Sequence, residues 1–426
     1  MFRLARVPVV LVLVLLTASL AVGQTSFPSR LTEAVVEQAA VQQALGYIDQ
    51  NFDRQVAEWI RLTEVPAPSG HEAARAAHVR AELEKLGLKT TTDSIGNVTA
   101  RRTGSGGGPT IVFAAHMDTV FPVGTDITVK RSPDGTFRAP GVFDNTASVV
   151  NMLQAVRAMD AAKLRTRGDL VFVATVQEEV GLKGMYHWME QNKGVADMVV
   201  ALDSGLGPVN YGALGIYWSR MKFTAPGAHT NNSRGQPNPA RAAAQCVTDI
   251  YTVPLPPADA TVSAVYNVGG LMTAGNVVNA IPPEVTFSVD LRTVDADLLQ
   301  SLDAAIVAKC QAAAASHKVG FTREWIQRSE AGGRPEQLTD RRAHPLVQTA
   351  IDVLRYLGVE LPKGREAVAS GSTDANVGVV QGIPSIAVGR ARGGDQHTLQ
   401  EWSDIESAKI GTKQIILLAS ALAELQ

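Results

Sequence analysis

Apolar residues recur at three- and four-residue steps from 31 to 62, the period of an amphipathic helix. The PAPSG turn at Pro66–Gly70 breaks that run, and a second helical pattern covers 72–86. Segments 89–93, 98–102 and 110–114 then read as strands, the last entered through the glycine-rich GSGGG. Beyond them the two periods alternate: a helix after Asp144 (ASVVNMLQAVRAM), a strand at 169–176, a helix after Gly181 and a strand at 198–202. Apolar strands separated by helices predict an α/β fold, a mostly parallel sheet with helices on both faces. In such sheets binding sites lie beyond the carboxyl ends of the strands.

The pattern changes in two loose, glycine-containing stretches, 210–215 and 331–335. Between them the order is strand 216–223, helix 239–251, strands 263–268 and 284–292, helix 295–316 and strand 320–327. This β-α-β-β-α-β order predicts a smaller α+β domain inserted into the first. The chain resumes with a helix at 344–357, a GSTDAN loop, a strand at 383–388 and a closing helix from near Ser403. The expected organisation is a catalytic domain in two parts, 24–212 and 331–426, interrupted by a lid at 213–330.

The first residues stand apart. Arg3 and Arg6 precede an apolar stretch, Val9 to Val22, with small residues around Ala21 and Gly23. That is the layout of a secretory signal peptide over 1–23, cleaved after Gly23, and it predicts an exported protein, periplasmic or secreted. An uncleaved membrane anchor is the alternative, which the shortness of the stretch disfavours. No other stretch is apolar enough to span a bilayer, so no membrane association is expected after cleavage.

With 426 residues, 45% of them hydrophobic and 19% charged, the chain has the composition of a globular protein large enough for two cores. A formal net charge of −2 gives no electrostatic footprint for nucleic acid. The two cysteines, Cys246 and Cys310, fall in alanine-rich helical patterns, which favours buried free thiols over a bridge.

Candidate chemistry concentrates at the predicted strand ends. His116 and Asp118 stand in AAHMDTV, Asp144 in APGVFDNTAS, Glu178 and Glu179 in ATVQEEVG, Asp203 in ALDSG and His397 in GGDQHTLQEW. Imidazole and carboxylate donors without cysteine suit a catalytic metal, zinc first with cobalt or manganese as alternatives. Two such ions sharing a carboxylate would make a hydrolytic centre. Taken singly, each motif has a plain structural explanation, such as a strand-end cap or an acidic helix start.

Taken together, HxDTV, the GxxDN that opens a helix, the EE pair, DSG and GDQHT follow in an order and spacing that resemble one family. It is the di-zinc exopeptidases and amidohydrolases that include glutamate carboxypeptidase, peptidase T, carnosinase and acetylornithine deacetylase. The resemblance covers the mature chain and departs in the tail of the Asp144 motif, where Thr146 replaces the usual lysine or glycine. It implies that His116 and Asp203 hold one divalent ion, Glu179 and His397 a second, and Asp144 bridges both. Asp118 would orient His116, and Glu178 would act as general base toward the bridging water.

The resemblance further implies a homodimer formed through the lid, with His229 reaching a partner's site as an oxyanion donor. Arg292 and Asn276 would contact substrate, and the Gly371–Asp374 loop would face it. The expected function is an exported metal-dependent hydrolase of amide bonds in short peptides, a di- or tripeptidase or a carboxypeptidase-like enzyme. An N-acyl-amino-acid amidohydrolase is the alternative. A non-catalytic binding protein on the same fold is more remote, because Glu178 would be superfluous there.

Overall fold

A computed structural model describes residues 28–426 apart from 258, 259, 261 and 274–276. The signal-peptide expectation for 1–23 and the substrate-contact expectation for Asn276 therefore lie outside the described residues. Among the described residues no helix is long and apolar enough to cross a membrane.

The predicted α/β class is what the chain adopts. Eight strands form one sheet in the order Thr90–Thr92, Val98–Arg102, Leu170–Thr175, Ile111–His116, Met198–Leu202, Ser385–Val388, Val209–Asn210 and Ala367–Val368. Its centre is parallel: His116 pairs with Thr175, Ala114 with Ala201, and Val200 with Ile386. Every residue of Leu170–Thr175, Ile111–His116 and Met198–Leu202 is buried, because alternate side chains serve opposite faces. Ile111, Phe113, Phe172 and Val200 point toward the larger core with Leu153, Val156 and Leu418. Val112, Val171, Val173 and Val199 enter a second cluster with Met185 and Trp188. Both faces are thus covered, as a parallel sheet requires.

The inserted unit has its own antiparallel sheet, in the order Ala264–Thr273, Glu284–Thr293, Gly215–Thr224 and Gly320–Ser329. Along Glu284–Thr293 the side chains from Val285 to Thr293 are alternately buried and half-buried, the period-two signature of a sheet packed on one side. Helices Pro239–Ile250 and Ala296–Ser316 cover that side, burying Met221, Phe223, Phe287, Leu299 and Ile306 among them.

These helices also overturn the expectation of free thiols. Cys246 and Cys310 form a disulfide, with Cα atoms 4.7 Å apart. Each helix alone presents a buried cysteine on its apolar stripe, and only their side-by-side packing makes the two stripes meet.

Three further differences are local. The pattern at 31–62 divides into Glu33–Val36, Ala39–Gln50 and Phe52–Thr63, the last two separated by Asn51, whose Nδ2 donates to Tyr47 O at 3.0 Å. The closing helix is Ala408–Leu422 and starts later than expected, because Trp402–Asp404 is a strand. That strand belongs to an unanticipated four-stranded sheet with Gly393–Gly394, Thr136–Arg138 and Lys130–Arg131. Strands of two or three residues carry no readable period.

Candidate metal centre

Parallel central strands put three of the candidate motifs at one edge of the sheet. His116 ends its strand, Glu178 and Glu179 follow Leu170–Thr175, and Asp203 follows Met198–Leu202. Asp144 arrives on the turn Val142–Thr146 that feeds helix Ala147–Ala161, and its peptide bond to Asn145 is cis. His397 comes from the loop between Gly393–Gly394 and Trp402–Asp404, so the unanticipated small sheet is what carries it to the centre.

Asp144 stands between the imidazoles. Its Oδ1 lies 3.3 Å from His116 Nε2 and its Oδ2 lies 3.4 Å from His397 Nε2. On the first side Asp203 Oδ2 is 3.8 Å from His116 Nε2, and on the second Glu179 Oε2 is 3.1 Å from His397 Nε2. Glu179 Oε1 is buried without a hydrogen-bond partner, whereas Asp144 Oδ1 meets the Arg390 guanidinium at 3.0 Å. A buried orphan carboxylate oxygen is costly unless a cation takes it up. The donor set thus fits divalent metal: His116, Asp144 and Glu179 stand close enough to share an ion, and so do His116, Glu178 and Asp203. Glu178 is buried, 4.0 Å from His116 Nε2. His397 is the solvent-facing member, with half its side chain exposed.

The centre is held by residues behind it. The Asp118 carboxylate is fully buried; Oδ1 accepts from Glu178 N at 3.0 Å, and Oδ2 accepts from Ser69 Oγ at 2.6 Å and Glu179 N at 3.1 Å. His116 Nδ1 lies 3.2 Å from the Asp118 carbonyl oxygen and 3.4 Å from its Oδ1. One aspartate therefore orients the ring and ties the paired glutamates to the same strand end.

Three supports have no counterpart in the sequence reading. The Glu401 carboxylate accepts from Gly141 N at 3.0 Å and from Phe143 N and Asp144 N at 2.8 Å, which pins the Asp144 turn. Gly141 makes that turn possible: its φ is 75°, and a Cβ there would stand 2.7 Å from Thr119 Cγ2. Arg75, buried, donates to Val65 O at 3.0 Å and Met117 O at 2.9 Å and so braces the HMD segment. Arg390 pairs with Asp144 and Asp203. An acid four residues after His397 was the one signal in the sequence that could have flagged Glu401.

The electrostatics are those of crowded acids. Burial, followed by the neighbouring carboxylates of Asp203, Glu179 and Asp374, pushes Glu178 well above the usual carboxylate range, although His116 pulls it down. Burial draws His116 down, but Glu178, Asp118, Asp144 and Asp203 outweigh it and hold the imidazole well above its ordinary value. Hydrogen bonds to Asp144 and Glu179 raise His397 to about 10. Metal ions would displace the protons that the two rings hold.

Other expected site residues do not join this group. His229 lies on the short strand Ala228–His229 of the inserted unit, exposed, its Nδ1 accepting from Asn231 N at 3.1 Å and its Nε2 3.4 Å from Asn279 Nδ2. Arg292 is engaged two residues away on its own strand, where Nε and Nη2 both donate to Asp290 at 2.9 Å. The structure shows the strand-end ion pair. The Gly371–Asp374 loop is likewise only partly open. Thr373 is buried and accepts from Ala375 N at 3.2 Å, and Asp374 is buried with its Oδ2 accepting from Thr175 Oγ1.

The sequence profile of peptidase family M20/M25/M40 matches residues 112–421. The chain is 28% identical over 172 residues to the [LysW]-lysine hydrolase of Deinococcus radiodurans, covering 40% of this chain and 45% of that protein. It is 24% identical over 418 residues to the N-carbamoyl-L-amino-acid amidohydrolase of Paenarthrobacter aurescens, covering 85% of this chain and 92% of that protein. Against the first of these the chain thus spans less than half the relative's length. The fold is similar to that of a tripeptidase from Staphylococcus aureus, with a TM-score of 0.71, 21% identity and coverage of 88% and 99% of the two chains. With the profile running from the His116 strand into the closing helix, the chain belongs to peptidase family M20/M25/M40.

Proposed function

We propose that this chain is an exported two-metal hydrolase that cleaves an amide bond in short peptides. The observation that carries the reading is Asp144, whose two oxygens face one imidazole each, at 3.3 and 3.4 Å, with a terminal carboxylate beside either ring. His116, Asp203 and Asp144 would hold one ion, and Glu179, His397 and Asp144 the other. Zinc suits this donor set, with cobalt and manganese as alternatives. The ions would supply a water acidified toward neutrality and a Lewis acid for the substrate carbonyl. Glu178 would be the general base: buried beside His116 and tethered through its backbone N–H to Asp118, it would take the water's proton and return it to the leaving amine.

Export is supported by the character of 1–23 and by the disulfide Cys246–Cys310, a bond that persists in oxidising compartments. The exposed position of His229 on the lid is compatible with service to a partner's site in a homodimer. N-acyl or N-carbamoyl amino acids form the second reading, favoured by the near full-length match to an N-carbamoyl-L-amino-acid amidohydrolase.

The test is a panel of dipeptides, tripeptides, N-acetyl and N-carbamoyl amino acids against metal-loaded protein, beside metal analysis. Expected are close to two transition-metal ions per chain, loss of turnover on chelation and its recovery on adding zinc, cobalt or manganese. Glu178→Gln should keep the metals and lose about a hundred- to ten-thousand-fold in rate. A reconstituted protein that binds no metal, or a Glu178→Gln variant with normal turnover, would overturn the reading.

A further inference from the structure

Arg390 lies two residues beyond the strand Ser385–Val388 with its side chain only 1% exposed, and the two-metal reading gives it no role. Its Nη1 reaches Asp203 Oδ1 at 2.7 Å, Asn145 Oδ1 at 2.7 Å and Asp144 Oδ1 at 3.0 Å. Asn145 is itself held, its Nδ2 donating to Leu202 O at 2.9 Å, and the guanidinium lies 4.2 Å over the Phe143 ring. One permanent cation thus sits on both acids that complete the His116 site. Glu179, the terminal acid of the other site, has its ion pair with His397 and feels Arg390 more weakly, after Asp144, Asp203 and Glu401.

We infer that Arg390 is a built-in counter-cation that orders the carboxylates of the His116 site before metal arrives and weakens metal binding there. The inference rests on the two-metal reading. Two effects compete. Holding Asp203 by Oδ1 leaves Oδ2 facing His116 at 3.8 Å, which favours ligation. Against that, a guanidinium does not lose its charge, and a dication placed among the same oxygens meets it at a few ångströms where water does not screen. The repulsion acts only when the ion is present, whereas the ordering acts with and without it. Removing the charge therefore has opposite signs in two observables: the metal-free fold loses stability while the His116 site gains affinity.

The experiment is a calorimetric titration of metal-free protein with Co2+, in the native chain, Arg390→Gln and Arg390→Lys, with thermal unfolding of each metal-free form. His116→Ala and His397→Ala assign the two binding steps. In the native chain the His116 step is expected to be at least about tenfold weaker than the His397 step. Arg390→Gln should tighten the His116 step by about tenfold or more, tighten the His397 step, which shares Asp144, by clearly less, and lower the metal-free Tm. Arg390→Lys, which keeps the charge, should retain the weak step. A native His116 step equal to or tighter than the other, which needs no Arg390 variant to observe, overturns the inference. So does an Arg390→Gln step that is unchanged or weakened, which would leave Arg390 only an orienting role. Absence of any Co2+ binding to the native chain would instead overturn the metal reading beneath it.

Discussion

Asp118→Asn changes one atom of the side chain that ties His116 to the two glutamates, and the consequences can be worked out bond by bond. The carboxylate accepts from Glu178 N on Oδ1 and from Ser69 Oγ and Glu179 N on Oδ2. Its pKa is below the ordinary value: burial pushes it up, but His116, Ser69 and the Glu178 N–H outweigh burial, so the native group is ionised. An asparagine keeps one acceptor oxygen. If that oxygen takes the Oδ2 position, the amide NH2 faces the Glu178 N–H and the ring of His116. If it takes the Oδ1 position, Ser69 can rotate to accept, but the Glu179 N–H then faces a donor. Either way one buried backbone N–H loses its partner, at a cost of about 1–3 kcal/mol. Loss of the charge beside His116 also lowers the ring's basicity, and replacing an outer partner of a ligating histidine costs about 10–100-fold in metal affinity.

The assays are chelator-competed metal titration, thermal or urea unfolding of the metal-free protein, and kcat/KM on the best peptide of the panel. Asp118→Asn should weaken the His116 step within that range and destabilise the fold, and activity should recover in part with excess metal. Metal affinity within about twofold of native together with stability within about 0.5 kcal/mol would refute the assignment of Asp118 as the common brace.

Opening the Cys246–Cys310 bridge, by reduction or by Cys246→Ser with Cys310→Ser, should cost about 4 kcal/mol by chain entropy for a separation of 64 residues. Calorimetry checks it, and mass analysis finding two free thiols in the unreduced protein would contradict it. Glu58, paired with His78 and Arg157, has its pKa lowered from 4.5 to about 2 although burial pushes it up, so it contributes stability present above its unfolded value and lost as pH falls from 4.5 toward 2. That shift corresponds to about 3 kcal/mol, and Glu58→Gln should flatten this part of the acid-unfolding curve; parallel curves for the two proteins would rule it out. His229→Ala should lower turnover by about a hundredfold or more, and mixing it with Glu178→Gln should recover about a quarter of native activity if sites are shared across a two-fold dimer. Full activity in a strictly monomeric protein would refute that sharing.

Local pattern was enough to anticipate the central strands and the residues at their ends. Apolar runs of five or six residues between helical patterns were readable as buried strands, and a His, Asp or Glu just past such a strand sits at the sheet's carboxyl edge. His116, Glu178, Glu179 and Asp203 were readable for that reason, and the order of elements in the inserted unit was too. Everything that depended on which distant segments touch was not. Glu401 meets the Asp144 turn across 258 residues, and Arg390 meets Asp203 across 187. The cysteines needed two helices packed side by side, and His397 needed a small sheet whose strands are too short to show a period. Arg292 illustrates the converse, since an aspartate two positions away on the same strand face could capture it with no tertiary contact at all. Periodicity is a property of neighbours along the chain and therefore sets secondary structure and burial. Hydrogen-bond partners, ion pairs and the bridge are properties of neighbours in space, and packing alone selects them.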